Sequence, residues 1–80
     1  MLSQGIAWRV NAVIRRERVA LGLSQQQLAV RCGIARSYVG DVERGARSIS
    51  LYSLLRFSQA LGIKASHLVY CAETEISDAD

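Results

Sequence analysis

Four glycines divide the sequence into short segments whose apolar residues recur at helical spacing. Each glycine follows one such segment, and glycine commonly ends helices because it adopts the left-handed backbone conformation without a steric penalty. These glycines are Gly22, Gly33, Gly45 and Gly62. No long alternation of apolar and polar residues is present, so the pattern predicts helices throughout. At 80 residues, the chain has room for one small domain.

The spacing predicts five helices. Ser24 and Gln27 fit a capping box at the start of the second, and Ser50 is expected to cap the fourth. The helices are expected over about 5–21, 25–32, 36–44, 51–61 and 65–71. The first has an apolar stripe made of Ile6, Val10, Val13, Ile14 and Leu21, and the fourth has one face made of Leu51, Leu54, Leu55 and Ser58.

Charge is distributed unevenly along the chain. The net charge of +3 combines ten basic and seven acidic side chains. All ten bases, nine of them arginine, precede residue 72 together with three acids, so residues 1–71 carry +7 and residues 72–80 carry −4. We therefore expect a domain over residues 1–71 and an acidic, flexible tail over residues 72–80. A body of +7 indicates a polyanionic partner, nucleic acid first and an anionic membrane surface second. In the simplest alternative, half or more of these bases only interact with solvent.

The sequence offers little for catalysis or metal binding. Cys32 and Cys71 have only His67 as a companion ligand, which is too few for a structural zinc site, so free thiols are expected. We expect Cys32 to be a small buried apolar residue and His67 an ordinary surface residue. No enzyme activity, cofactor or metal is predicted. Because no apolar run is long enough to span a bilayer and no signal-peptide pattern is present, a cytoplasmic protein without a membrane partner is expected.

Two short helices joined by a tight turn carry the functional prediction. Residues 25–32 and 36–44, linked by residues 33–35, have the spacing of a helix-turn-helix, whose second helix enters the major groove of DNA. The core side of this second helix is expected to include Val39 and Val42. Its outward side is expected to consist of Arg36, Ser37, Gly40, Asp41 and Arg44. Arginine pairs well with guanine, and a carboxylate accepts a hydrogen bond from cytosine.

The stretch LSQQQLAVRCGIARSYVGDVERG resembles the helix-turn-helix of the lambda-repressor and Cro type, the xenobiotic-response-element family of prokaryotic regulators. The likeness covers about residues 9–70. It is carried by Leu23-Ser24-Gln25, Leu28-Ala29, Gly33-Ile34, Tyr38-Val39 and Glu43-Arg44-Gly45, and SISLYSLLRFSQALGI is similar to the family's fourth helix. The resemblance implies an all-α, compact five-helix bundle with the helix-turn-helix at about residues 24–44. It is greatest to small stand-alone members such as the controller proteins of restriction–modification systems, which act as dimers.

The outward stripe of the second helix and the resemblance together predict roles for particular residues. Those expected to read DNA bases are Arg36, Ser37, Tyr38 and Asp41. Those expected to contact the DNA backbone are Gln25, Arg44, Arg47 and Ser48. Arg18 and Glu43 match a family ion pair that links the first helix to the end of the third, which makes Glu43 structural and not a catalytic acid.

Two positions depart from the family pattern. Ala35 replaces the usual capping serine or threonine of the recognition helix, which lowers its stability by about 1 kcal/mol. Gly40 lies within that helix, where glycine costs about 1 kcal/mol relative to alanine. Either Gly40 allows close approach to the groove, or it is tolerated without a role in readout. Asp41 has a similar alternative, because it can pair with Arg44 or Arg36 instead of contacting cytosine.

These observations predict a sequence-specific transcriptional regulator that binds double-stranded DNA as a homodimer. Half-sites are expected about 34 Å apart, or a multiple of that distance. The dimer surface is expected around Ile63, Leu68, Val69 and Tyr70, and RNA polymerase is a candidate second partner. The alternative is an antitoxin or adaptor that mainly binds another protein through its acidic tail.

Overall fold

The computed structural model describes the backbone of residues 2–79 and the side chains of residues 8–74. Within the described backbone all the regular structure is helical, as the sequence predicts. The helices are α1 (Leu2–Ala20), α2 (Gln25–Cys32), α3 (Arg36–Glu43), α4 (Leu51–Leu61) and α5 (Ala65–Ala79). No helix in residues 2–79 has both the length and the apolar character needed to cross a membrane.

All five helices contribute to one core. Among the described side chains, Phe57 of α4 is the largest that is completely buried, and it lies among residues of the other helices. The buried apolar side chains are Val10, Val13, Ile14, Leu28, Ala29, Cys32, Val39, Val42, Phe57, Leu61, Leu68 and Ala72. Because burying one large apolar side chain contributes about 1.5–3 kcal/mol, this cluster supplies the main stabilising term of so small a domain.

The helix ends follow the predicted capping chemistry. The Ser24 hydroxyl accepts a hydrogen bond from the Gln27 amide, and the Gln27 side chain accepts one from the Ser24 amide, which completes the capping box. Ser50 accepts from the Ser53 amide at the start of α4. Ala35 supplies no side-chain cap to α3. The N-terminus of α3 therefore depends on packing rather than on a cap for its position.

The apolar face of α4 differs from the prediction. Of the four residues predicted for this face, Ser58 is buried and Leu54 packs against the core, but Leu51 is 72% exposed and Leu55 is also exposed. Phe57 and Leu61 are buried in their place. The core-facing side is rotated because α2 and α5 both pack on α4, and together they select the face that contains Phe57. In α1, Val10, Val13 and Ile14 are buried as expected. Leu21 is exposed instead, and the side chain of Ile6 lies outside the described residues.

The fifth helix is longer than predicted. It continues through Ala79, so the prediction that it ends at Cys71 is wrong. Leu68 and Ala72 are both completely buried, because α5 packs along α1 and against α4. Burial of Ala72 extends the folded domain into the segment that charge alone marked as a separate tail.

Candidate nucleic-acid interface

The helix-turn-helix is formed by α2 and α3. Gly33 ends α2 in the left-handed conformation, with φ of 70°. The Gly33 amide donates to the Val30 carbonyl, and the Ile34 amide donates to the Ala29 carbonyl. Ile34 then packs against the core, which fixes the angle at which α3 departs. The turn thus presents α3 at the surface of the domain, as a recognition helix requires.

The two sides of α3 have different environments. Val39 and Val42 are completely buried, whereas Arg36 and Ser37 are exposed at the N-terminal end of the helix. Among the described residues, Arg36 has no hydrogen-bond or ion-pair partner. Its guanidinium keeps all five donors available for an external acceptor, which is the form in which arginine recognises guanine or phosphate.

Tyr38 is turned toward the protein rather than outward. Its hydroxyl donates to Ser53 Oγ at 2.8 Å, and its ring stacks on Phe57 with a centroid distance of 6.3 Å. The Arg47 guanidinium lies over the same ring, 5.4 Å from its centroid. Tyr38 therefore couples α3 to α4 in this structure, and its polar atom already has a partner.

Asp41 pairs with arginines of its own segment. Its carboxylate contacts Arg44 one turn later, and Arg47 at 3.9 Å. Of the two pairings considered from sequence, the structure has the one with Arg44 and not the one with Arg36. All three side chains remain accessible to solvent, so these ion pairs are screened by water and hold the two arginines only weakly.

The outward stripe predicted for α3 is interrupted at Gly40, which is buried. A β-carbon added there would lie 3.2 Å from the Arg44 guanidinium and 3.6 Å from the Gln25 side-chain oxygen. Gly40 therefore makes room for α2 and for the Arg44 side chain. This packing within the domain gives Gly40 a structural role, and its close approach to DNA stays a prediction.

A buried carboxylate joins three helices behind the recognition surface. Glu43 accepts hydrogen bonds from Arg18 Nε at 2.6 Å and Arg18 Nη2 at 2.9 Å, which is the ion pair that the family resemblance implies. Gln25 Nε2 also donates to Glu43, at 3.1 Å, and Arg18 donates to the Leu23 carbonyl at 2.7 Å. Hydrogen bonding to Glu43 raises the pKa of the Arg18 guanidinium above its ordinary value. The pair fixes α3 relative to α1 and the start of α2.

The loop after α3 is held by residues of α1 that the sequence analysis did not identify. Asn11 is buried and donates from Nδ2 to the Arg47 carbonyl at 3.2 Å, while its Oδ1 has no partner among the described residues. The Trp8 ring covers Gly45, whose φ is 76°. The sequence signal for the contact between Asn11 and Arg47 is weak: it is a polar residue next to the apolar Val10 in the stripe of α1. Arg47 and Ser48 are exposed on the loop that these contacts anchor.

Two other arginines have structural roles. Arg56 of α4 donates from Nε and Nη2 to the Cys32 carbonyl, at 3.0 and 2.7 Å, and so satisfies the C-terminal end of α2. Arg31 donates to the Ala60 carbonyl at 3.4 Å. Burial raises the pKa of the Cys32 thiol, and the nearby Arg56 charge partly opposes this shift. Part of the basic charge therefore joins α2 to α4.

Only some of the residues predicted to form the dimer surface are exposed. Leu68 was wrongly assigned to it, because this side chain is completely buried in the monomer core. Ile63 and Val69 are half-buried, and Tyr70 is 64% exposed. Of the four predicted residues, Tyr70 has the most area available to a second chain.

The comparisons with known proteins agree with this geometry. The Helix-turn-helix family model matches residues 14–68. Control protein C.BamHI of Bacillus amyloliquefaciens is 40% identical over 47 residues, which are 59% of this chain and 58% of that protein. Control protein C.MunI of a Mycoplasma species is 36% identical over 62 residues, covering 78% of this chain and 81% of that protein. The match thus spans less than two thirds of the Bacillus protein's length.

A solved structure has the same fold. The restriction–modification controller protein C.AhdI from Aeromonas hydrophila superposes with a TM-score of 0.73 at 43% identity, covering 79% of this chain and 94% of that one. The family match covers the buried Arg18–Glu43 pair, the turn at Gly33 and the exposed end of α3. The chain belongs to the Cro/C1-type helix-turn-helix family.

Proposed function

We propose that the protein is a sequence-specific transcriptional regulator that binds double-stranded DNA as a homodimer. The observation that carries the proposal is the N-terminal end of α3, where Arg36 and Ser37 are exposed while Val39 and Val42 fix the opposite side in the core. The first residues of the second helix in a helix-turn-helix contact base edges. We assign base readout to Arg36 and Ser37.

The surroundings of α3 suit the phosphate backbone. Arg44 and Arg47 are exposed at the C-terminal end of the helix and on the following loop, together with Ser48. On the other side, Gln25 is the first residue of α2, where backbone amides have no helical acceptors and attract anions. Phosphate contacts of this kind supply affinity and orientation but carry no sequence information.

A homodimer accounts for specificity that one short helix does not supply. Two copies related by a two-fold axis read two half-sites about 34 Å apart, or a multiple of that distance. We place the dimer contact around Tyr70 and Val69, with Ile63 at its edge. Leu68 supports this surface from the core without contacting the partner.

The relatives support a proposal about the regulated system. Controller proteins of restriction–modification systems are among the proteins similar to this chain, and we propose the same role here, in the cytoplasm, with RNA polymerase as the second partner during activation. The described residues provide no cluster of three or more metal-binding side chains.

Selection of bound duplexes from a random pool, followed by affinity measurement, tests the proposal. Arg36→Ala is expected to lower affinity by about 1–3 kcal/mol and to relax preference at one base position. Arg47→Ala is expected to weaken binding to all duplexes alike and to reduce the salt dependence by about one unit. Lys64→Ala also removes one positive charge, but Lys64 follows the C-terminal end of α4, outside the helix-turn-helix. It therefore serves as the matched control.

Three outcomes contradict the proposal or part of it. Sequence-independent losses of equal size in Arg36→Ala and Arg47→Ala would make Arg36 a phosphate contact. Equal losses in Lys64→Ala would show that net charge alone controls binding. Negligible affinity for any duplex at low salt would reject the regulator and favour the antitoxin or adaptor.

A further inference from the structure

His67 and Cys71 meet on the surface of α5, outside the helix-turn-helix. They are one helical turn apart, and His67 Nε2 lies 3.4 Å from Cys71 Sγ. His67 is exposed and Cys71 is half-buried, so the shared edge of the pair is open to solvent. Neither side chain takes part in the proposed DNA contact.

The separation of the two atoms fits a metal chelate. Zinc binds thiolate at about 2.3 Å and imidazole nitrogen at about 2.0–2.1 Å. With a tetrahedral angle at the metal, these bond lengths place sulfur and nitrogen about 3.5–3.6 Å apart. The two atoms are within hydrogen-bond distance of each other, and their separation of 3.4 Å is close to the spacing that one shared ion requires.

The helical turn that carries His67 and Cys71 is fixed in place because its other side packs in the core. Leu68 and Ala72 directly follow the two donors in sequence, and both are completely buried. Cys71 itself packs against the core. Because burial of Leu68 and Ala72 anchors the backbone next to each donor, the two donors are held near their binding geometry before an ion arrives.

We propose that His67 Nε2 and Cys71 Sγ form a bidentate site for a divalent ion of the zinc class. Imidazole and thiolate select such ions over magnesium or calcium, which prefer oxygen. On binding, the thiol proton passes to solvent, and neutral imidazole coordinates through Nε2 while Nδ1 keeps its proton. Two protein ligands leave two positions, which are filled by water or by the same pair of a second copy.

Titration of the reduced, full-length protein with cobalt(II) tests the site, because cobalt is coloured and its thiolate complexes absorb in the near ultraviolet. We expect a thiolate-to-cobalt band that zinc abolishes by displacement. Cys71→Ser is expected to remove the band. His67→Asn changes an exposed side chain, and should weaken cobalt binding by roughly 10²-fold because the second linked donor is lost. Cys32→Ala, the other thiol, is expected to keep the band.

Saturation at one cobalt per chain indicates a site completed by water. Saturation at one cobalt per two chains indicates a site shared between two copies. Both results support His67 and Cys71 as the ligands. A band that persists in Cys71→Ser, or equal affinity in the parent chain and His67→Asn, overturns it. Circular dichroism of each variant confirms that the fold is retained. DNA affinity of the metal-free variants is expected to equal that of the parent chain, so failure here is separate from failure of the proposed function.

Discussion

Arg18 of α1 and Glu43 of α3 form a two-pronged ion pair in which the Glu43 side chain is 2% exposed. Because Glu43 also accepts from Gln25, one carboxylate determines the relative positions of three helices. Glu43 is the last residue of the recognition helix α3. Its orientation at the surface is therefore set from behind, by a group that does not face DNA.

Breaking this pair is expected to destabilise the fold strongly. Arg18→Met leaves the Glu43 carboxylate buried with only Gln25 as a partner, and the free energy of unfolding should fall by about 3–5 kcal/mol. Adding Glu43→Gln to that variant should recover part of the loss, because no unpaired charge stays buried. Urea unfolding measures both, with the exposed Arg15→Met as control, expected within about 0.5 kcal/mol of the parent chain. Equal losses in the Arg15 and Arg18 variants would contradict the structural role.

Stability is expected to decrease at alkaline pH because of Cys32. Burial raises the pKa of this thiol in the folded protein above its ordinary value of 9.0. Above that value the unfolded chain releases the proton while the folded chain keeps it, so deprotonation favours unfolding. The stabilisation is complete below pH 9.0 and is lost as pH rises toward the folded-state pKa, with a slope of up to about 1.4 kcal/mol per pH unit.

Chemical unfolding at neutral and alkaline pH measures this slope. Cys32→Ala should lower stability at neutral pH by removing a buried group, and should also flatten the decline above pH 9.0. A decline of equal steepness in Cys32→Ala would assign it to other groups.

The contact between Trp8 and Gly45 predicts different effects of the same substitution at two glycines. Gly45→Ala and Gly22→Ala both place a side chain at positive φ, 76° and 73°, at a cost of about 1–2 kcal/mol. At Gly45 the new β-carbon would lie 2.6 Å from the Trp8 ring. At Gly22 no other atom lies within 4 Å of it. Gly45→Ala should therefore cost about 1–3 kcal/mol more.

Trp8 is the single tryptophan, so its fluorescence reports the displacement directly. The emission spectrum should change in Gly45→Ala and stay constant in Gly22→Ala. Identical spectra and equal losses of stability would place the Trp8 ring away from the loop.

Tyr38 is expected to act on stability more than on DNA readout. A double-mutant cycle of Tyr38→Phe and Ser53→Ala should give a coupling of about 0.5–1.5 kcal/mol, the usual contribution of one hydrogen bond. Affinity of Tyr38→Phe for the selected duplex should stay within about twofold, because the hydroxyl bonds to Ser53 and not to a base. A loss confined to one base position would show instead that Tyr38 leaves Ser53 when DNA binds.

Several features of the candidate site follow from local sequence. Ser24 and Gln27 predict the start of α2, and Gly33 with the spacing on either side predicts the helix-turn-helix. The exposure of Arg36 follows from helical periodicity once Val39 is assigned to the core. These predictions succeed because caps, glycine conformations and periodicity depend on residues within one or two turns.

The sequence by itself determined five helices, the capped starts of α2 and α4, and the presence of a recognition helix. Only the tertiary structure decided that Phe57 rather than Leu51 enters the core, that Tyr38 bonds to Ser53, and that α5 continues past Cys71. A helix with apolar residues on more than one side has no preferred buried face until its neighbours dock. The partner of a polar side chain is likewise chosen by residues distant in sequence. Docking of α5 on α1 gave Ala72 a place in the core, although composition marked the segment as a separate acidic tail.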